Sequence, residues 1–514
     1  MDECNKRIAK NTVYLYIRQL TIMALSFVTT RVVLDKLGAS DYGINNLVAG
    51  FVASFAVLNN ILSSSTRRFL ALYIGKGDNA DLAKTFSTSL ALHVVIAFIV
   101  IVALETGGLW FLNSKLNIDP DRLTAANWVF QFAIVGTFFS IVQTPYMAAV
   151  TAHEKFTIYA AMSIYDVIAK LGVIYVLIYI PGDKLIIYSV LQTIVTLTGL
   201  LIYRIYCSHE FKECRWSLKT DRSMMKEMLS FSGWGVLGHI ITVVNGQGIS
   251  IILNIFFNTV MNAARGLAQT VNVVIAQFIT GFLTAAQPQL VKYYGAGEMD
   301  RFVRLIFNVT QYTLFLLAII VVPCLLEIDY VIGLWLGNEI PPYTCSFVKI
   351  TLFCGIIYRS NSMIENGLQA IGRVKENNMY SVPVYLLSIP LVYFVLKYNF
   401  NPTVAYWVAS VPPLLSFIIN LILLSQFTIF PGWSFFTQIF LKNVGLIILS
   451  AIVPFSVQRF LEPGFVRFIV VCSLSVISTI TIIWFLGLNV VTRQMAKGLL
   501  YNKLHLNIFR NDRS

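Results

Sequence analysis

Apolar runs long enough to cross a lipid bilayer follow one another along almost the whole chain, and they constrain its fold more than any other feature. A membrane-spanning helix needs about 20 largely apolar residues. Of the 514 residues, 57% are hydrophobic and only 12% are charged, whereas about 25% of the residues in a soluble domain are charged. So few charges cannot cover the apolar surface against water, and the sequence therefore predicts an integral membrane protein.

Polar breaks between the apolar runs predict an all-α fold of about fourteen transmembrane helices. The spans are expected near residues 12–34, 42–66, 85–112, 123–151, 156–180, 184–207, 227–257, 262–288, 303–326, 345–371, 376–397, 402–427, 435–459 and 465–487. Lys and Arg accumulate in the cytoplasmic loops of membrane proteins. If the N-terminus is cytoplasmic, 25 of the 38 Lys and Arg residues fall on the inner side and only eight on the outer side. Both termini are therefore predicted to be cytoplasmic.

Two short motifs occur twice at nearly the same separation. The turn "YIGKGD" (73–78) returns as "YYGAGE" (293–298), 220 residues later, and "AVTAHEKF" (149–156) matches "GLQAIGRV" (367–374) at an offset of 218. Two matches at nearly one offset indicate the duplication of a six-helix unit. Because six is even, both copies enter the membrane from the same side. Transporters with such parallel repeats have halves related by an axis along the membrane normal, with the substrate site between them.

The duplication predicts a 6+6+2 arrangement of spans. In chain order we expect an N-terminal lobe of six spans, a cytoplasmic linker, a C-terminal lobe of six spans, two additional spans and a basic cytoplasmic tail. Their predicted bounds are residues 1–207, 208–226, 227–427, 428–487 and 488–514. Basic and apolar residues alternate in the tail in the manner of an amphipathic helix that lies on an anionic lipid surface.

No residue pattern indicates catalysis, a metal or a cofactor. The seven cysteines form no CxxC or Cys/His cluster at metal-ligand spacing, and no P-loop is present. The net charge is +13, but positively charged inner loops account for it, and no aromatic-interleaved basic block indicates a nucleic-acid partner. We therefore expect none of these partners, and no enzymatic activity.

Three local motifs carry a resemblance to a known family. They are the segment "LGASDYGINNL" (37–47) after a span that Asn11 opens, the Gly-x-Gly-acid turn after the second span, and "LQAIGR" (368–373) at the close of the tenth span. Together with the 6+6+2 plan, they resemble the Wzx-type oligosaccharide (lipopolysaccharide O-antigen) flippases of the MATE/MOP exporter superfamily, over nearly the whole chain. The resemblance implies two pseudo-symmetric, MATE-like lobes in a bacterial inner membrane. It also implies a lipid-linked oligosaccharide substrate, membrane lipids as surroundings, and association with polysaccharide polymerase machinery.

Cationic residues within the predicted spans are candidates for binding this substrate, because a charge at the bilayer centre costs about 3 kcal/mol on insertion scales. We predict substrate-binding roles for Arg18, Arg31, Arg265, Arg359 and His239. Arg18 could instead be a structural partner of backbone or headgroups, and His239 a satisfied buried histidine. Arg31 and Arg265 either line the outer mouth or extend to the outer headgroups.

Acidic residues within the spans are candidates for coupling H+ or Na+. Glu365 shares one helical face with other polar side chains in "YRSNSMIENGLQ" (358–369), so that face lines a cavity or packs on another polar helix. Asp166 and Lys170 are four residues apart, and they form either a mutually neutralised pair or part of an ion-coupling site.

The sign of the intramembrane charge indicates the class of substrate. Arginines outnumber acids, and the planar guanidinium group suits phosphate. The charges therefore favour an anionic substrate. The resemblance implies that this substrate is an undecaprenyl-pyrophosphate-linked oligosaccharide repeat unit, which a flippase would move from the cytoplasmic to the periplasmic leaflet by alternating access. The alternatives are a MATE-type cation-coupled multidrug antiporter, which would need exposed carboxylates, and a membrane glycosyltransferase or polymerase, which would need a sizeable outer loop.

Overall fold

The computed structural model describes most of the chain. The described residues are 3–55, 57–76, 78–153, 155–215, 220–337, 339–398, 401–489 and 492–494. Within these ranges the description does not extend to the side chains of residues 3–24, 54, 57–62, 64, 75, 230–243, 278, 280–282, 284, 285, 288 and 382.

Every regular element in these ranges is a helix, which confirms the predicted all-α fold. The main helices are α1 (Glu3–Ser54), α2 (Val57–Lys76), α3 (Asn79–Lys115), α4 (Pro120–Ala152), α5 (Phe156–Tyr179), α6 (Lys184–Glu210), α7 (Arg222–Phe256), α8 (Thr259–Gly295), α9 (Met299–Leu326), α10 (Ile328–Leu336), α11 (Thr344–Ala370), α12 (Val374–Tyr398), α13 (Pro402–Phe427), α14 (Gly432–Phe460) and α15 (Phe465–Gly487). A short 3-10 helix, Lys212–Cys214, follows α6.

Nine of the helices in the described ranges are long and apolar enough to cross a membrane. They are α3, α4, α5, α6, α9, α12, α13, α14 and α15. Large apolar side chains such as Ile452 and Val466 are more than half exposed on these helices, as expected for surfaces that face lipid. The chain is therefore a multi-pass membrane protein. The count of fourteen spans stays a prediction.

The first two predicted spans are joined without a loop. Helix α1 continues from the first into the second through Gly38, whose φ of 75° is the one non-helical conformation inside it. Side chains with a Cβ atom rarely adopt a positive φ, so glycine allows the direction of the helix to change here. The predicted break near residues 35–41 therefore coincides with a kink at Gly38 between two helical segments of α1.

The repeated Gly-x-Gly-acid turns share a backbone hydrogen bond. The Asp78 amide donates to the Tyr73 carbonyl at 3.2 Å, and the Glu298 amide donates to the Tyr293 carbonyl at 2.9 Å. The Asp78 carboxylate also caps α3 by accepting hydrogen bonds from the first amides of that helix. The motif therefore ends one helix and begins the next, which is a structural role.

The chain divides into two compact units. Unit 1 comprises residues 1–274, 335–350 and 378–416. Within it, α4 lies against α1, α2, α3 and α6. A cluster of buried residues that includes Val129 and Phe130 of α4 forms part of its core.

Unit 2 comprises residues 275–334, 351–377 and 417–514. Within it, α9 packs against α14 and α15, and Phe302 and Leu314 are fully buried on α9. The lobe bounds that the repeats predict stay a prediction.

Candidate functional site

A polar cavity of about 930 Å³ lies within unit 1. Side chains from α1, α2, α4, α5 and α6 line it. Most of the polar ones carry a hydroxyl or an amide group: Thr29, Asn45, Ser63, Thr137, Ser140, Gln143, Thr144, Tyr159, Ser163, Tyr165, Tyr188, Ser189, Gln192, Thr193, Thr196 and Tyr203. Because these groups both donate and accept hydrogen bonds, the cavity can replace the hydration of a ligand that is rich in hydroxyl groups.

Two glycines lie beside polar side chains where α4 and α6 meet at the cavity. A Cβ atom at Gly199 would lie 3.6 Å from the Gln143 Oε1 atom, and one at Gly136 would lie 3.6 Å from the Thr193 Oγ1 atom. Each glycine therefore lies within van der Waals contact distance of a polar side chain of the other helix.

The polar side chains that line the cavity differ in whether they already make hydrogen bonds within the protein. Thr193 donates to the Phe132 carbonyl at 2.8 Å, and Tyr165 and Thr198 share a hydrogen bond of 2.8 Å between their hydroxyl groups. In the described part of the chain, by contrast, the amides of Gln143 and Asn45 make no hydrogen bond. These two amides remain available to a ligand.

Asp166 and Lys170 also line the cavity, and they contact each other. The Lys170 Nζ atom lies 2.7 Å from the Asp166 Oδ2 atom, one turn along α5. Both side chains are well exposed, at 47% for Asp166 and 39% for Lys170. Among the described residues of the lining, these two alone carry a charge at neutral pH, and their charges cancel.

Arg265 is buried between two helices. Only 6% of it is exposed, and its guanidinium group donates to the Ser250 hydroxyl and to the Gly246 carbonyl, each at 2.9 Å. The residue therefore links α8 to α7, and its predicted role in substrate binding stays a prediction. Arg31 is exposed on α1 beside the backbone after α10, since a Cβ atom at Gly337 would lie 3.9 Å from its Nη2 atom.

Arg359 and Glu365 lie on α11 in unit 2. Arg359 is half-buried and makes no hydrogen bond or ion pair within the described part of the chain. Glu365 accepts a hydrogen bond of 2.8 Å from the side-chain amide of Asn361, whose Oδ1 atom accepts one of 3.1 Å from the Asn420 side chain of α13. The two residues are six positions apart, so they do not share a face of the helix.

Two of the predicted site residues cannot be placed further. The side chains of Arg18 and His239 lie outside the described residues, and their roles stay predictions. Nowhere in the described ranges do three or more His, Cys, Asp or Glu side chains come together in a way that could hold a metal ion.

The hydroxyl and amide lining of the cavity is absent from the sequence-based site, which considered charged residues and His239. The sequence does contain a pattern that predicts this lining. Ser140, Gln143 and Thr144 on α4 recur at helical spacing, as do Ser189, Gln192, Thr193 and Thr196 on α6. In an otherwise apolar span, such a stripe marks a face that avoids lipid.

The fold defines a class of protein. The lipid II flippase MurJ superposes with a TM-score of 0.70 at 12% identity over 92% of this chain and 98% of its own. A multidrug resistance MATE family transporter of the MOP superfamily gives 0.69 at 12% identity, over 80% and 97%. A MOP superfamily transporter from Pyrococcus furiosus gives 0.59 at 12% identity, over 83% and 96%. The chain therefore has the fold of the MOP superfamily transporters, which confirms the predicted MATE-like fold.

A family assignment follows from the sequence. The model of the polysaccharide biosynthesis protein family matches residues 8–294, more than half of the chain, and the chain belongs to that family. Together with the fold, this membership supports the resemblance to Wzx-type flippases. None of the curated proteins matches the chain significantly.

Proposed function

We propose that the chain is a flippase that moves undecaprenyl-pyrophosphate-linked oligosaccharide repeat units from the cytoplasmic to the periplasmic leaflet. It would act by alternating access in a bacterial inner membrane, with both termini cytoplasmic, during the assembly of surface polysaccharide. Membership of the polysaccharide biosynthesis family supports the sugar part of the substrate. The fold shared with the lipid II flippase supports the lipid-linked carrier and argues for a transporter over an enzyme.

The polar cavity of unit 1 is the observation that carries this proposal. Its volume of about 930 Å³ lies near the upper end of the range for small-molecule sites. A cavity for lipophilic drugs would be lined mainly by apolar and aromatic side chains, whereas more than half of the residues that line this cavity carry a hydroxyl or an amide group. An oligosaccharide presents the complementary set of donors and acceptors.

The pyrophosphate requires cationic partners, which the proposal assigns to arginines. Arg359 suits this role because it is half-buried and its guanidinium group is not engaged within the described part of the chain. Arg18 and Arg31 remain proposed partners from the sequence. Moving one charge through 100 mV is worth about 2.3 kcal/mol, so a dianion that leaves a negative interior gains roughly 4–5 kcal/mol. Transport driven by the membrane potential therefore needs no ATP.

Reconstitution tests the proposal directly. The purified full chain is placed in vesicles of phosphatidylethanolamine and phosphatidylglycerol with a fluorescent undecaprenyl-pyrophosphate-linked trisaccharide. A membrane-impermeant reductant then quenches the probe in the outer leaflet. We expect the protected inner-leaflet fraction to disappear only in vesicles that contain the protein. Persistence of that fraction would refute the proposal.

A matched pair of arginine variants tests the assignment of the pyrophosphate. Arg359→Gln should slow flipping at least tenfold, with unchanged protein levels. Arg301→Gln is the control, because Arg301 is exposed and pairs with Glu298 outside the predicted spans. Equal rates in the two variants would remove Arg359 from the site.

A cation-coupled antiporter predicts a different outcome. Cells that express the chain would then resist lipophilic cations, and the vesicles would exchange such compounds for H+ or Na+ without moving the lipid-linked probe. The same preparation therefore distinguishes the two functions.

A further inference from the structure

The cavity of unit 1 is polar but carries no net charge on its described residues. Asp166 and Lys170 are the two charged side chains of that described lining, and they are joined by a contact of 2.7 Å. The remaining polar groups are neutral hydroxyls and amides, such as those of Gln143 and Gln192.

We propose that this cavity selects repeat units whose sugars are uncharged, and that the Asp166–Lys170 pair keeps it neutral. The inference deepens the proposed flippase function and rests on it, since it assumes that the sugars of a lipid-linked oligosaccharide pass through this cavity. It concerns the sugars alone, because the pyrophosphate is common to all such substrates.

A neutral sugar is well matched to the lining. Each hydroxyl group that leaves water needs a new donor and a new acceptor. The amides of Gln143 and Asn45 make no hydrogen bond within the described residues, so they can supply both. Neutral hydroxyls therefore exchange one set of hydrogen bonds for another.

An acidic sugar lacks this compensation. Its carboxylate loses hydration on entry and needs a cation nearby. Lys170 is the cation of the described lining, but its charge is already balanced by Asp166, whose own carboxylate repels a second one. Because the two charges form a pair, the pair attracts a carboxylate less than an unpaired lysine would, and the cost of desolvation remains.

Two lipid-linked probes that differ by one oxidation test the inference. One carries a trisaccharide of neutral hexoses. In the other, one hexose is replaced by the corresponding uronic acid. The full chain is reconstituted in vesicles as for the flipping assay, and the rate ratio of the neutral to the acidic probe is measured. We expect a ratio of at least ten for the unaltered protein.

Charge variants of the pair should move this ratio in opposite directions. Asp166→Asn keeps the shape of the side chain and frees the charge of Lys170, so the ratio should fall at least fivefold. Lys170→Gln leaves an unbalanced carboxylate and should raise it. The double variant removes both charges, keeps the lining neutral and should retain the original preference, which also covers the case in which a single variant fails to fold.

An ion pair outside the cavity is the control. Lys155 and Glu210 form a contact of 2.9 Å and are both exposed, so Glu210→Gln should leave the ratio unchanged. If the unaltered protein moves both probes equally, or if the double variant loses the preference, the inference is wrong while the flippase function stands. If neither probe moves, the proposed function itself fails.

Discussion

A buried ion pair in unit 2 gives the sharpest prediction about stability. Glu327, between α9 and α10, is 1% exposed, and its Oε2 atom lies 3.0 Å from the Arg467 Nη2 atom of α15. Removing one partner of a buried pair leaves the other charge uncompensated, at a cost of about 3–5 kcal/mol. Arg467→Met should therefore lower the free energy of unfolding by about this amount.

The double variant separates the interaction energy of the ion pair from the cost of leaving one buried charge without a partner. Replacing both partners of a buried ion pair with apolar residues of similar volume is often neutral. We therefore expect Arg467→Met combined with Glu327→Leu to recover most of the stability lost in Arg467→Met alone. Unfolding is followed by circular dichroism in detergent micelles at increasing denaturant, and the coupling energy is taken from the double-mutant cycle.

An exposed pair of similar length is the control. Asp81 and Lys84 lie 2.9 Å apart on the surface of α3, and such pairs are worth at most about 1 kcal/mol. If Arg467→Met costs no more than Lys84→Met, burial does not strengthen the pair. The contact between Glu327 and Arg467 would then not be what fixes α15 against the end of α9.

Three further predictions follow from contacts in unit 1. Gly199→Leu should narrow the polar cavity and slow flipping at least tenfold, whereas Gly172→Leu, where a Cβ atom meets nothing within 4 Å, should not; equal flipping rates would count against this cavity. Arg265→Met should destabilise the fold by about 1–3 kcal/mol, since it removes two charge-assisted hydrogen bonds, and flipping lost at unchanged thermal stability would instead indicate contact with substrate. The pKa of Asp183 lies below its ordinary value of 3.8, because hydrogen bonds from Arg122 and from backbone amides outweigh the rise caused by burial. The ionised carboxylate therefore adds stability above pH 4 that is lost as the pH falls through the lowered pKa. Because solvent screens this partly exposed group, Asp183→Asn should lower the free energy of unfolding by at most about 1 kcal/mol at pH 7, and by less at pH 3, in a denaturant titration.

The helix boundaries were largely predictable because they depend on local signals. Apolar runs bounded by polar turns placed two spans at 156–180 and 184–207, and the structure has Phe156–Tyr179 and Lys184–Glu210. The join between the first two spans was not predictable in the same way. A glycine can end a helix or, as Gly38 does, change its direction through one residue of positive φ, and the letters alone do not distinguish these outcomes.

The candidate site was less predictable, because its partners come from other helices. The cost of burying a charge directs attention to Arg265, and the Gly246 carbonyl and the Ser250 hydroxyl on a neighbouring helix offset part of that cost. Every residue has a backbone carbonyl, so the sequence does not show which of them accepts a hydrogen bond from a buried arginine. The lining of the cavity was not predicted for a different reason. Its residues are mostly neutral hydroxyls and amides, whereas the sequence-based prediction was built on charged residues within apolar spans.

Of the two carboxylates proposed for ion coupling, Glu365 is the stronger candidate. Asp166 already has a counter-charge in Lys170 at 2.7 Å, so it has little need of a transported cation. Glu365 is half-buried, and its partner among the described residues is the neutral amide of Asn361, which is itself held by Asn420. Burying an ionised carboxylate in such surroundings costs desolvation free energy, and binding a proton or a cation reduces that cost. Binding and release of such an ion would change the charge of α11 and so shift the balance between the inward- and outward-facing states, and ion coupling through Glu365 stays a prediction.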